Sequence, residues 1–207
     1  MSLLIVSATE LEIEPFLREN NNVDILITGV GIPATIFHVT KKLIVKNYDL
    51  VIQAGIAGTF NDCFSLGEVV LVKEDAFADL GIEENGNFTT LFETGFLDKN
   101  DFPYTNGWLV NSNPLFEKNK LPFAKAITVN KIINDHLQIK KIQQEFTAGV
   151  ESMEGAAFHY VCLQQKINFL QLRGISNMVG ERDKTKWRLK KAIENLNKEL
   201  LKIIKDL

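Results

Sequence analysis

Acidic and amide side chains stand in this chain where apolar runs give way to helical patterns. Glu12 closes Ser7-Ala8-Thr9-Glu10-Leu11-Glu12, Glu154 lies in Glu151-Ser152-Met153-Glu154-Gly155-Ala156-Ala157, and Asn177 ends Arg173-Gly174-Ile175-Ser176-Asn177. A carboxylate at the end of a strand can take a proton from water, which makes Glu12 a candidate general base. Thr9 and Glu12 also have the Thr-x-x-Glu spacing of a capping box, in which the acid satisfies a helix-end amide. The local sequence leaves both roles open. Acids in a first helical turn, as at Glu151 and Glu154, can serve the helix dipole alone. Arg173 is harder to dismiss, because a cation inside an apolar run needs a partner. It predicts a nearby carboxylate, with Glu12 and Glu154 the natural candidates.

Two glycine-containing stretches follow apolar runs. Thr28-Gly29-Val30-Gly31 opens the helix that begins near Pro33, and Ala54-Gly55-Ile56-Ala57-Gly58-Thr59 follows the third run. Glycine lets backbone amides come close to a ligand, and amides at a helix start favour anions and oxygens. A lone Gly-x-Gly reads more simply as a tight turn. Two such loops on one sheet point to a ligand.

The elements that must position these residues alternate. Apolar runs at Leu3–Ser7, Val23–Thr28, Leu50–Gln53, Val69–Val72, Ala126–Val129, Ala148–Val150 and Phe169–Ile175 read as strands, several of them buried on both faces. Leu11–Arg18, Pro33–Lys46, Asp135–Phe146, Met153–Gln165 and Trp187–Leu207 read as helices. In the last, Leu189, Ala192, Ile193, Leu196, Leu200, Ile203 and Ile204 form one apolar stripe. The pattern predicts a single α/β domain over residues 1–207, with ligands at the carboxyl ends of the strands. Asp79 to Pro122, rich in Gly, Asn, Pro and aromatics, breaks the alternation and reads as hairpins and loops that line or cap a site.

Composition narrows the partners. The 23 basic and 26 acidic residues give a net charge of −3, which disfavours nucleic acid. The first apolar run is too short for a signal peptide or membrane span, so a cytoplasmic protein with no membrane partner is expected. Cys63 and Cys162 lack metal-ligand spacing, and neither a metal nor a cofactor is called for. His38, His136 and His159 fall in no motif and read as structural or surface residues. Trp187 reads as a packing anchor.

The set Ala8-Thr9-Glu10-Leu11-Glu12, Gly29-Val30-Gly31, Ala54-Gly55-Ile56-Ala57-Gly58, Leu66-Gly67-Glu68-Val69-Val70, Met153-Glu154-Gly155-Ala156-Ala157 and Arg173-Gly174-Ile175-Ser176-Asn177 resembles the purine nucleoside phosphorylase and nucleosidase superfamily. Glu151-Ser152-Met153-Glu154-Gly155, together with Ile175-Ser176-Asn177-Met178-Val179-Gly180-Glu181-Arg182-Asp183 and Trp187, is most similar to the futalosine hydrolase family. That family releases hypoxanthine from futalosine in menaquinone biosynthesis. The resemblance implies a three-layer α/β/α domain with a mixed, largely parallel central sheet, trimmed between the first helix and the second strand.

It also implies a purine nucleoside as substrate and a homo-oligomer, dimer or larger. By the same resemblance Glu12 activates water, Glu154 grips the ribose hydroxyls, Met153 packs on the sugar and Arg173 orients the acids. Gly29, Gly31, Ala57, Gly58, Ser152, Ser176 and Arg182 join the substrate site.

Asn177 departs from the aminopurine nucleosidases, which resemble this chain but hold Asp there to protonate the leaving base at N7. An amide cannot be a general acid, but it presents an acceptor and a donor together. These match N7–H and the carbonyl of a 6-oxopurine, whereas a 6-aminopurine would mispair. Ile56 stands where many relatives have a small hydroxyl residue, so the water is expected to be held differently. The group beyond the ribose calls for an apolar wall, with Phe88–Trp108 as candidates, and a cation, with Arg182, Lys184 or Lys186 as candidates. The alternatives are a methylthioadenosine/adenosylhomocysteine-type or aminodeoxyfutalosine nucleosidase, a phosphate-dependent phosphorylase, and a non-catalytic nucleoside-binding module.

Overall fold

A computed structural model describes residues 1–19, 23–60, 63–116 and 119–207. Its elements run β1 (Leu3–Ser7), α1 (Glu10–Arg18), β2 (Asp24–Ile27), α2 (Ile32–Val45), β3 (Leu50–Thr59), β4 (Val69–Phe77), β5 (Gly81–Glu84), β6 (Asn87–Thr90), β7 (Leu109–Val110), β8 (Phe123–Thr128), α3 (His136–Phe146), β9 (Val150–Ser152), α4 (Gly155–Gln164), β10 (Phe169–Met178) and α5 (Leu189–Lys205). The trimmed connection between Arg18 and Val23 includes residues 20–22, which lie outside the described residues.

β1 explains the layers. All five of its residues are buried, and strand side chains alternate between faces. Leu3 and Ile5 pack with Ile13 and Phe16 of α1 and with Leu196, Leu200 and Ile203 of α5. Leu4 and Val6 pack on the other side, with Val39 and Leu43 of α2 and Phe158 and Val161 of α4. Helices therefore cover both faces of a mixed sheet, as the alternating pattern predicts. No described helix is long and apolar enough to cross a membrane.

The sheet does more than lie flat between helices. β3 pairs in parallel with β10 from Val51 to Thr59 on one edge. On its other edge it pairs first with β1 and then, at Gly58 and Thr59, with β9. β10 continues to β4, β4 to β8 and β8 to β9, so five strands close a ring, and β1 and β2 extend from it. Ala54–Thr59 is thus strand and not a loop, a correction to the sequence reading. Its small residues form no apolar run, but all six of them stand in register with β10. The Asp79–Pro122 stretch holds the β5–β6 hairpin, the short β7 and a turn of 3-10 helix at Pro114–Phe116.

α1 is short and kinked. Pro15 lies inside it, and Ile13 has non-helical backbone angles, φ −119° and ψ 15°. Proline removes a donor and crowds the preceding turn, which frees backbone groups there. Asn197 of α5, 1% exposed, meets them: Nδ2 donates to the Glu12 carbonyl at 2.9 Å, and Oδ1 accepts from the Phe16 amide at 3.1 Å. The last helix thereby fixes the backbone of Glu12. Replacing Asn197 with Ala should cost roughly 2–4 kcal/mol of unfolding free energy, measured in urea. It should also lower activity beyond what the lost stability explains; a loss under about 0.5 kcal/mol would remove Asn197 as the holder of the kink.

Candidate active site

The acids converge on a cleft of about 440 Å³ at the carboxyl ends of β1, β3 and β10. A larger depression of about 1210 Å³ lies beside α3 and Phe64, but Glu12, Glu154 and Asn177 all line the smaller cleft.

Glu12 is 7% exposed and in the capping position, so the structural role left open by the sequence is realised. Oε2 accepts from the Thr9 amide at 3.0 Å, the Thr9 hydroxyl at 2.9 Å and the Ser7 hydroxyl at 3.3 Å. Oε1 accepts from the Ile56 amide at 2.9 Å. Four donors thus face about four lone-pair sites. Two of the four are hydroxyls that can rotate away, so the cap still leaves a place for a water proton. Ile56, with no hydroxyl to offer, holds Glu12 through its backbone, and its side chain lines the cleft.

Arg173 is 1% exposed. Its Nη2 donates to Gln53 Oε1 at 2.8 Å, and Nη1 stands 3.8 Å from Glu154 Oε2. Of the two expected partners, Glu154 is the one at ion-pair distance. Gly55 shows why Glu12 is nonetheless close: a Cβ built there would lie 2.4 Å from Arg173 Nη1 and 3.0 Å from Glu12 Oε1. Glu154 Oε1 accepts from the Gly31 amide at 2.9 Å. Burial raises its pKa, while Arg173 and the Gly31 amide pull it back down.

A β-bulge between Ile175 and Asn177 re-aims the end of β10. Ser176 is buried and reaches both the Ala57 carbonyl, at 3.2 Å, and Asn177 Oδ1, at 2.7 Å. Asn177 Nδ2 donates to the Met178 carbonyl at 2.8 Å. These bonds fix the amide's sense and leave one Nδ2–H and one Oδ1 lone pair for a ligand.

Ala57, Gly58, Ser152, Met153, Ser176 and Arg182 also line the cleft. Gly29, Gly31 and Arg173 are not among its lining residues. Gly29 makes a left-handed turn at φ 83°, and the Gly31 amide is spent on Glu154 rather than on a ligand. The Ser152 hydroxyl accepts from the Gly155 amide at 3.2 Å and so starts α4.

The wall of the cleft differs from the one expected from sequence. No residue of Phe88–Trp108 lines the cleft: Phe88 faces a separate cavity, Phe92 stacks on Tyr104, and Trp108 packs between Phe146 and Lys125. Leu11, Val30, Ile56, Ile132, Leu189 and Trp187 form the apolar surface instead. Trp187 is tied by Nε1 to the Glu181 carbonyl at 3.0 Å, so it is cleft wall as well as anchor. Lys184 and Lys186 stay outside the cleft, and Lys186 pairs with Glu181 at 2.7 Å. His159 is buried away from it, with Nδ1 on the Leu109 carbonyl and its pKa pushed down to about 3 by burial.

Glu151, which the sequence places in a motif without a site role, also faces the cleft. It is 8% exposed, and burial, with Asp79 nearby, pushes its pKa up to about 7. The sequence signal for it is its place in Glu151-Ser152-Met153-Glu154-Gly155, directly after the apolar run Ala148–Val150.

Fold and cleft together define an α/β protein with paired carboxylates at the carboxyl ends of its strands. The model of the Phosphorylase superfamily matches residues 16–205, and the chain belongs to that family. It is 32% identical over 155 residues to futalosine hydrolase of Thermus thermophilus, covering 72% of this chain and 67% of that one. It is 23% identical over 184 residues to 5'-methylthioadenosine/S-adenosylhomocysteine nucleosidase of Buchnera aphidicola, covering 86% and 72%. The solved structure of futalosine hydrolase of Helicobacter pylori superposes with a TM-score of 0.82 over 100% of this chain and 98% of that one, at 16% identity.

Glu151 titrates above its unfolded value, so the stability it contributes is present below pH 4.5 and is lost as the pH rises through about 7. Glu151→Gln should therefore raise the unfolding free energy at pH 8 by roughly 2–3 kcal/mol and change it little at pH 5. Denaturant titrations at the two pH values check this, and an equal effect at both would refute the buried charge.

Proposed function

We propose that the protein hydrolyses the N-glycosidic bond of a purine nucleoside, with futalosine as substrate and hypoxanthine as the released base. The observation that carries the reading is the meeting of Glu12, Glu154 and Asn177 in one cleft, with Arg173 buried behind the two acids. The 32% identity to futalosine hydrolase of Thermus thermophilus supports this substrate over others.

In this reading Glu12 takes a proton from water once the Thr9 or Ser7 hydroxyl turns away from Oε2. The oxygen attacks the anomeric carbon as the C–N bond lengthens and positive charge spreads over the ribose ring. Glu154 holds the ribose hydroxyls, and both carboxylates stabilise that charge, as acids do in glycoside hydrolysis. Arg173 and the Gly31 amide fix Glu154 without entering the cleft. The base takes its N7 proton from cleft water, since an amide cannot supply one, and the proton held by Glu12 returns to solvent; Asn177 accepts from the N7–H so formed and donates to the 6-carbonyl.

Water is favoured over phosphate because Arg182 is the one arginine or lysine among the described residues lining the cleft. Arg173 is engaged behind it, and Arg18 pairs with Glu14 at the surface. The resemblance in sequence also supports a homo-oligomer in the cytoplasm whose product feeds menaquinone formation.

The deciding experiment is hypoxanthine release from futalosine, beside inosine and methylthioadenosine, in phosphate-free buffer. Release from futalosine at the highest kcat/KM is expected; turnover only with phosphate present would make the protein a phosphorylase. Glu12→Gln should lower kcat by roughly 10²- to 10⁴-fold with little change in substrate binding. A near-normal rate would leave Glu12 a helix cap and nothing more. Asn177→Asp should move the substrate ratio toward the 6-aminopurine nucleoside, and an unchanged ratio would remove Asn177 from base selection.

A further inference from the structure

Behind the cleft lies a polar cluster that the mechanism above does not use. Asp75 of β4, Gln171 of β10 and His159 of α4 are each fully buried. Asp75 Oδ1 accepts from the Thr128 hydroxyl at 2.9 Å, and Oδ2 accepts from Gln171 Nε2 at 3.1 Å. His159 Nδ1 stands 3.0 Å from the carbonyl of Leu109, which pairs with Asp75 across β7 and β4. A carbonyl can only accept, so Nδ1 carries the ring's proton and Nε2 is left with a lone pair. Gln171 is the side chain that acts on that ring, yet His159 Nε2 and Gln171 Oε1 both lack a hydrogen-bond partner among the described residues. Two buried acceptors without a donor are a costly arrangement.

One proton would repair both. On a neutral Asp75, Oδ2–H could donate to Gln171 Oε1 once the amide turns over, and Gln171 Nε2 would then donate to the ring nitrogen of His159. With Asp75 ionised the same turn is barred, because it would set an amide oxygen against a carboxylate. Proton uptake and amide reversal therefore come together. Burial pushes the Asp75 carboxyl up to about 6 and the His159 ring down to about 3, so the carboxyl titrates while the ring stays neutral.

Charge joins this cluster to the cleft. Arg173 lowers the pKa of both Asp75 and Glu154, and a Cβ on Gly155, the residue after Glu154, would collide with Asp75 Oδ2 and Gln171 Nε2. An ionised Asp75 makes two buried carboxylates share one guanidinium, whereas a neutral one leaves Arg173 to Glu154 alone. Arg173 and His159 are the charged or titratable side chains that face Asp75 from β10 and α4. β7, β8 and β9 bring Leu109, Thr128 and Ser152, and Glu74, its neighbour in β4, pairs with Lys125 at 2.9 Å.

We propose that Asp75 and Gln171 form a proton-coupled switch, in which proton uptake by Asp75 turns the Gln171 amide onto His159 and releases Arg173 to Glu154. Asp75 is then a positioning residue that acts on the cleft through Arg173. Its effect on turnover rests on the reading of Glu154 as the acid that holds the ribose.

Nitrogen NMR of His159 and of the Gln171 side-chain amide, followed from pH 5 to pH 8 on the intact protein, reads the switch without reference to activity. His159 Nε2 should show an accepted hydrogen bond at the acid end and a free lone pair at the alkaline end, with Nδ1 protonated throughout. The Gln171 amide should move with the same midpoint. In Asp75→Asn, whose amide can donate to Gln171 as the protonated acid does, both signals should keep their acid-end values at every pH. Over the same range the KM for the nucleoside should rise roughly fivefold or more in the unsubstituted protein relative to that variant.

A His159 signal that is constant with pH in the unsubstituted protein, or that titrates equally in Asp75→Asn, would overturn the switch; the first of these is read even if the variant fails to fold. Signals that switch while the two KM values stay parallel would overturn the link to Glu154. If the signals switch but no nucleoside is hydrolysed, the nucleosidase reading falls and the switch stands. An active hydrolase with static signals leaves that reading in place and removes the switch.

Discussion

A guanidinium buried to 1% exposure inside a closed ring of strands constrains everything around it. Removing such a charge from water costs several kcal/mol unless partners with good geometry surround it. Arg173 obtains Gln53 from the neighbouring strand and Glu154 from the start of α4. Both require β3 and β10 in their observed register, and the guanidinium also needs the bare backbone of Gly55 to lie against. Glu154, held on one side by Arg173, is held on the other by the amide of Gly31. Glu12 comes to the same glycine from α1. Glu12 and Glu154 are therefore arranged about one hidden cation, which shapes the site without entering it.

The polar layer extends behind Arg173. Asp75 is fully buried and accepts from Thr128 at 2.9 Å and Gln171 at 3.1 Å, and burial pushes its pKa up to about 6. A Cβ on Gly155 would sit 2.1 Å from the Asp75 carboxylate. The glycines at 55 and 155 thus serve close packing between charged groups and backbone, a different use from the ligand approach that glycine-containing loops suggest in sequence. Small residues next to a sheet read the same in a string of letters, whether what comes close is a substrate or the protein's own carboxylate.

The regular elements were legible because each carries a period. The five buried residues of β1 and the apolar stripe of α5 state their faces outright. Charge logic also carried: Arg173 in an apolar run demanded an acid, and Glu154 is there. What stayed hidden depends on register between distant segments. The continuation of β3 through Thr59 is set by β10, more than a hundred residues on. Trp187 and Ile132 reach the cleft from loops, whereas Phe92 stacks on Tyr104, Tyr104 on Tyr160 of α4 and Trp108 on Phe146 of α3. Glu151 becomes notable only once the strands show it level with Gly58 and Asn177.

The bonds from Asn197 to α1 span the chain almost from end to end, since Glu12 and Asn197 are 185 positions apart. During synthesis the acid that faces the cleft emerges 185 positions before the amide that settles its backbone. A ribosome-bound chain carries all the strands of the ring before it carries that amide. The backbone of Glu12 is then settled only when a segment made long after it has folded back onto α1, so the shape of the cleft depends on contacts between parts of the chain that are synthesised far apart in time.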